Sequence, residues 1–313
     1  MRALRIFAVL AIAMAPLPAM AAEVETAMGA VTVPDDPQRV LVLNPALAGS
    51  LYALGVNPVA VVESTRSPTE EGYSSVWAEP ARAAGTEVLP WSFDGFDMEL
   101  IQRYEPDLII GGGQGRPGAL AEAAYEQLGS IAPTLLVSAE IGTWEGEMDF
   151  LAEALGREDE MAAALAAYAD KVAGVKAAIA LPPQPTAFVM PYEIGRPYFL
   201  PETTATPALF AEVGFEPDPL TERFPELKPF GTGDSVEVNL ELVPDVLDAP
   251  SMIVVPWSAD GITAADLAAD PITGQLPAIA AGRAYDFPDF AYRFDYYGAM
   301  ATLDEIARVF AKP

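Results

Sequence analysis

The chain has 313 residues, 51% of them hydrophobic, with 17 Lys and Arg against 45 Asp and Glu and a net charge of −28. A surface this acidic repels phosphate backbones and anionic lipid, which argues against nucleic acid and membrane surfaces as partners. With no Cys and no His, the chain has no disulfide, no Cys-His or Ser-His-Asp catalysis, and nearly no means of building a zinc or copper site.

The first element reads as an address. Arg2 and Arg5 precede a short apolar run over 6–15, Pro16 and Pro18 break it, and Ala19-Met20-Ala21 supplies the small residues signal peptidase needs. Residues 1–21 are therefore expected to be a signal peptide cleaved after Ala21. No Cys follows to carry a lipid, so the mature protein is expected free in the periplasm, as a monomer. It would keep 15 basic residues against 45 acidic ones, a net charge of −30. No later stretch reaches the 18 or so consecutive apolar residues of a membrane-spanning helix.

Short apolar runs then alternate with helical patterns. Strands are predicted over 40–43, 59–62, 108–110 and 134–137, apolar throughout as strands covered on both faces should be. Helices are predicted between them over 46–54, 98–104 and 119–128, which implies a mainly parallel sheet. A helix over 144–155 follows, with Gly156 placed to end it. The next runs over 158–179. Its Met161, Leu165, Tyr168, Val172, Val175 and Ile179 recur at spacings of 4, 3, 4, 3 and 4, one helical face. At about 1.5 Å per residue it is roughly 33 Å long, enough to cross between domains, before Pro182 and Pro183 stop it. The second half restarts the pattern with strands over 187–189, 252–255 and 284–287 and a closing helix over 303–310.

A faint repeat links the halves. Asp97-Met98-Glu99-Leu100-Ile101 leads into Pro106-Asp107-Leu108-Ile109-Ile110, and Asn239-Leu240-Glu241-Leu242-Val243 leads into Ala249-Pro250-Ser251-Met252-Ile253-Val254-Val255. In each, an Asx suited to an N-cap precedes a Glu by two residues, then a helix and a buried strand are expected. The expected fold is α/β: two Rossmann-like lobes, 22–156 and 182–313, joined by a single long α-helix over 157–181. The ligand cleft between them is lined by loops at the carboxyl ends of the strands.

Several stretches resemble a known family: Pro37-Gln38-Arg39-Val40 leading into Leu51-Tyr52-Ala53-Leu54-Gly55, Glu105-Pro106-Asp107-Leu108-Ile109-Ile110, Leu155-Gly156-Arg157-Glu158, and Asp270-Pro271 followed by Leu276-Pro277-Ala278 and Gly282-Arg283-Ala284-Tyr285. The family is that of the periplasmic ferric-siderophore and cobalamin binding proteins of ABC importers. Three stretches, Tyr125-Glu126-Gln127-Leu128-Gly129-Ser130-Ile131-Ala132-Pro133-Thr134-Leu135, Leu181-Pro182-Pro183-Gln184-Pro185 and Arg293-Phe294-Asp295-Tyr296-Tyr297-Gly298-Ala299-Met300, are similar to its ferric-enterobactin branch. The resemblance implies a carrier that captures a ferric, catecholate siderophore and delivers it to the membrane subunits of an importer. It implies no catalysis and no cofactor, the iron arriving inside the siderophore. It also implies that Glu99 and Glu241, one per lobe, dock on the transporter. The alternatives are a heme or cobalamin carrier of the same fold, for which Tyr is the available axial ligand, and an exported carboxylate-dependent hydrolase.

A tris-catecholate complex is anionic and flat-faced, so its site calls for Arg and aromatic side chains. Eleven Arg remain after residue 21. Arg66, Arg116, Arg196 and Arg293 fall in predicted cleft loops and are candidate ligand-binding residues, with Trp91, Tyr192 and Trp257 as the candidate aromatic surfaces.

Overall fold

The structure, a computed structural model, describes residues 22–194, 196–228, 235–292 and 294–313. The predicted signal at 1–21 and the candidate Arg293 lie outside the described residues.

The N-terminal lobe opens with an antiparallel hairpin, β1 (Ala22–Thr26) and β2 (Gly29–Val33), that packs beside the main sheet. The main elements follow as β3 (Val40–Val42), α1 (Ala48–Ala53), β4 (Ala60–Val62), α2 (Ala78–Ala84), β5 (Glu87–Leu89), α3 (Met98–Arg103), β6 (Leu108–Gly112), α4 (Arg116–Ala123), α5 (Tyr125–Gly129), β7 (Thr134–Val137) and α6 (Trp144–Leu155). Their sheet has the order β5-β4-β3-β6-β7 and is parallel throughout. Every residue of β3, β4, β6 and β7 is buried, which is why these strands carry unbroken apolar runs rather than alternation. Local signals set the helix ends: Asp97 and Thr143 accept hydrogen bonds from the amides of Leu100 and Gly146 at the starts of α3 and α6, and Gly156, at φ 63°, ends α6.

Helix α7 (Glu158–Ala178) leads into the second lobe: β8 (Thr186–Glu193), β9 (Arg196–Phe199), α8 (Ala205–Glu212), α9 (Leu220–Arg223), β10 (Val236–Glu237), α10 (Val243–Val246), β11 (Ser251–Val254), α11 (Ala264–Ala269), α12 (Pro277–Ala280), β12 (Ala284–Asp286) and α13 (Tyr296–Val309). The strand order is β10-β9-β8-β11-β12, with β8, β11 and β12 parallel and β9 and β10 antiparallel additions that the sequence pattern did not predict.

The linking helix does not stand alone. Its predicted stripe is the buried one, with Met161, Tyr168, Val175 and Ile179 inside and Leu165 and Val172 packed against the same core. That core runs without interruption from β3 and α1 through α6 and α7 to Phe188, Phe210 and α13. Helix α13 lies along α7 and returns to α1 of the first lobe. Lys171 pairs with Asp304 at 2.7 Å, and the amides of Ala180 and Lys312 donate to the carbonyls of Phe310 and Ala178. The covalent bridge is therefore splinted by the last helix, which starts seven residues earlier than the sequence pattern predicted because Asp295 caps it.

The predicted repeat holds in one lobe only. Glu99 sits in the first turn of α3 behind its Asp97 cap. Glu241 lies in a turn two residues ahead of α10, whose N-cap is Leu242 with no side-chain cap. Pro244 is the reason. In a helix begun at Leu240 it would lack the N–H needed by that carbonyl, whereas in the first turn of α10 its missing donor is harmless. Both Glu side chains are nonetheless exposed.

Candidate functional site

In the first lobe the chain order reverses between β3 and β6, so the loops after these strands part and leave a crevice, the usual ligand position of an open α/β sheet. Asn44, just past β3, spans it: its Nδ2 donates to the carbonyls of Gly112 (2.8 Å) and Gln114 (3.3 Å). The glycines here serve packing. A Cβ at Gly112, φ +82°, would lie 2.2 Å from the Val137 carbonyl, and one at Gly118 would lie 2.0 Å from that of Gly113. Only glycine lets α4 close on β6 and set Gln114 and Arg116 at the crevice.

An open cavity lies at this edge between the lobes. From the first lobe it takes Asn44, Arg66, Trp91, Phe93, Gln114 and Arg116, and from the second Trp257, Phe290, Phe294 and Asp295. Four sequence candidates thus converge: Arg66, Trp91, Arg116 and Trp257. Arg116 is the first residue of α4 rather than a loop residue, and its Nη2 donates to the Phe93 carbonyl at 2.8 Å. Trp91 meets Phe93 edge to face at 5.5 Å, leaving Phe93 69% exposed at the mouth.

The remaining candidates fall differently. Tyr192 is outside the lining but packs edge to face on Trp257 at 5.8 Å, extending the aromatic wall to the rim. Arg196 does not reach the cavity. Its Nε donates to Glu237 at 2.9 Å, Glu193 lies 3.7 Å away, and its Nη2 donates to the Tyr198 hydroxyl. The pair raises the Arg196 pKa and lowers that of Glu237, through their hydrogen bond first. Both are exposed, so this is a surface pair of small worth.

Sequence reasoning missed the way the lobes touch. The Arg66 guanidinium lies 4.8 Å from the Trp257 ring centre and 4.4 Å from that of Tyr292, within cation–π range of both. Its Nη1 donates to the Trp257 carbonyl at 3.4 Å. Next to it, the Ser67 amide donates to buried Asp289 at 2.8 Å, and the Ser67 hydroxyl donates to the same carboxylate. Deeper in, Asp295 is buried: its oxygens accept from the amides of Gly298 (2.9 Å) in its own helix and Gly49 (2.8 Å) in the other lobe. Burial pushes its pKa up to about 7 against the opposing pull of those backbone donors. The one signal available in the sequence was the Arg293–Met300 stretch, in and beside which Tyr292, Phe294 and Asp295 lie.

Chemically, the described residues of the site offer the Arg66 and Arg116 guanidinium groups and a wall of aromatic faces, with the Asp295 carboxylate turned onto backbone amides. It suits a bulky anion with flat faces.

Known proteins agree with this architecture. The chain is 27% identical over 293 residues to the ferric enterobactin-binding periplasmic protein FepB of Escherichia coli O6:H1, covering 92% of this chain and 90% of that protein. It is 25% identical to a probable siderophore-binding lipoprotein, YfiY, of Bacillus subtilis, over 90% of this chain and 84% of the relative. In three dimensions it matches the crystal structure of holo-ViuP with a TM-score of 0.79 at 22% identity, over 93% of this chain and 95% of that one. Among the described residues no helix is long and apolar enough to cross a membrane. Residues 40–290 match the periplasmic binding protein family model: the chain belongs to the periplasmic binding protein family.

Proposed function

We propose that this protein is the substrate-binding component of an ABC importer and that its cargo is a ferric siderophore of the catecholate class. The observation that carries the reading is the gathering of Arg66 and Arg116 with Trp91, Phe93 and Trp257 around one interlobe cavity, on a chain of net charge −28. Cations concentrated where the rest of the surface repels anions mark where an anion is held. A hexadentate siderophore occupies all the iron's positions, so the protein needs charge and stacking surfaces and no metal ligands of its own. FepB, named for ferric enterobactin, supports the catecholate class. Residues 1–21 serve as the export signal, and the lobes divide at 156/157 and 181/182.

Three of the chain's four Trp, Trp77, Trp91 and Trp257, line the cavity, so cargo binding should quench their fluorescence. Titration with a ferric catecholate, a ferric hydroxamate, ferric citrate, hemin and cobalamin should give saturable quenching with the ferric catecholate at the lowest concentration, reduced in Trp257→Phe. Quenching by hemin or cobalamin alone would reject the reading.

Glu99 and Glu241 are the importer contacts in this scheme, one exposed carboxylate per lobe. Glu99 stands in the first turn of α3, where the helix dipole favours a carboxylate, while Glu241 adjoins Leu242, 43% exposed. Exposed pairs contribute about 0.2–1 kcal/mol each, so the effect should emerge in the double variant. Glu99→Ala with Glu241→Ala should bind cargo normally yet fail to stimulate ATP hydrolysis by the reconstituted importer. Full stimulation would dismiss the docking role.

A further inference from the structure

Resting on the reading of the cavity as the cargo site, we propose that Asp289 is a positioning residue: from the second lobe it latches the Ser64–Tyr73 loop of the first lobe across the cleft and so presets Arg66 for the cargo.

The loop is built as a unit. The Ser64 hydroxyl donates to the Arg66 carbonyl, the Thr69 amide donates to Tyr73, the Ser75 amide donates to Ser67, and Pro68 and Ser74 form an antiparallel bridge. Left alone, such a loop would carry Arg66 wherever the first lobe goes. Ser67 ties it to the other lobe instead. Its φ is +40°, a left-handed backbone that a non-glycine residue holds only when its surroundings enforce it. The enforcing group is Asp289, 2% exposed, whose two oxygens receive the Ser67 amide and hydroxyl. A carboxylate taking both donors of one residue fixes direction as well as distance.

The consequence reaches the neighbouring side chain. With Ser67 anchored, Arg66 is laid between Trp257 and Tyr292, and the Tyr292 amide donates to the Asp289 carbonyl at 3.3 Å. A long cationic side chain freed of that cradle would sample many rotamers and would have to be ordered by the cargo itself. Presetting it raises the fraction of molecules ready to bind, and apparent affinity falls in proportion when that fraction falls.

The absence of native Cys gives a direct test. Single cysteines introduced at Glu122 and Ala265, both exposed and one per lobe, carry spin labels for distance measurement in the full-length, cargo-free protein. Asp289→Ala should broaden and lengthen the interlobe distance distribution and raise the dissociation constant for a ferric catecholate about tenfold. Ser67→Ala, which keeps the amide bond, should do the same about threefold. Asp289→Asn, which keeps one acceptor, should fall between wild type and Asp289→Ala. Thermal unfolding of each variant reports its fold. Should Asp289→Ala not fold, Ser67→Ala carries the test. An unchanged distance distribution in both variants overturns the latch, as does tighter binding on its release. A wild type that binds none of the siderophores defeats the cargo assignment but leaves the distance result to judge the latch.

Discussion

Gly49→Ala is expected to destabilise the protein by about 3 kcal/mol, a large effect for one methyl group. A Cβ at this position would stand 2.1 Å from Oδ2, 2.2 Å from Cγ and 2.4 Å from Oδ1 of Asp295. Moving the carboxylate aside is costly: it is buried, caps α13 through the Gly298 amide, and accepts the Gly49 amide. Either α1 backs away from α13, opening a gap in the core shared by the lobes, or the carboxylate leaves and strands two buried amides, each worth about 1–3 kcal/mol when unsatisfied. Gly174, in the middle of α7, has nothing within 4 Å of its Cβ position. Gly174→Ala should therefore stabilise by about 0.5–1 kcal/mol through helix propensity alone. Urea unfolding of both variants measures the contrast, and a Gly49→Ala loss below about 1 kcal/mol would show that α1 and α13 separate easily.

That contact also shows what a sequence can and cannot disclose. The buried strands of the first lobe were readable because β3, β4, β6 and β7 are apolar on both faces, and α6 and α7 because their apolar stripes are long and their ends are marked by Thr143, Gly156 and paired prolines. Strand β9 was hidden by Pro197, which stands opposite Pro191 of β8 in a pairing where neither can donate to the ladder. Strand β10 has two residues, too few for any period to register. The Asx-to-Glu spacing at Glu241 copies that at Glu99 and points to a helix there, but Pro244 three residues on moves the helix start to Val243.

At the site, single residues were legible and their meetings were not. Arg66, Arg116 and Trp257 follow strands or open a helix, so fold topology alone brings them to the cleft. Arg66 on Trp257 joins residues 191 positions apart, and Ser67 on Asp289 joins residues 222 apart. Neither pair has a local pattern to betray it. Arg196 departs from its expected place for the same reason, since its partner Glu237 belongs to a strand with no signal in the sequence.

Stability relative to Asp295→Asn should fall as pH rises from about 4 to about 7. Burial raises the Asp295 pKa from 3.8 to about 7, so across that window the folded protein holds a proton that the unfolded chain has released. Protonation then favours folding, the added stability is fully present at the acid end, and it is lost as pH climbs to the folded pKa. Three pKa units correspond to about 4 kcal/mol at about 1.4 kcal/mol each. The asparagine keeps the volume and an N-cap oxygen but cannot titrate, so the other shifted carboxylates cancel in the difference. Their directions differ: Glu237, Asp266 and Asp270 are lowered by hydrogen bonds, whereas Glu145, Asp218 and Asp286 are raised by burial. The measurement is urea unfolding of both proteins at half-unit steps from pH 4 to pH 8. The gap between the two curves should change by about one proton's slope below pH 7 and flatten above it. Parallel curves would mean that the amides of Gly49 and Gly298, with the N-terminal dipole of α13, hold Asp295 ionised throughout.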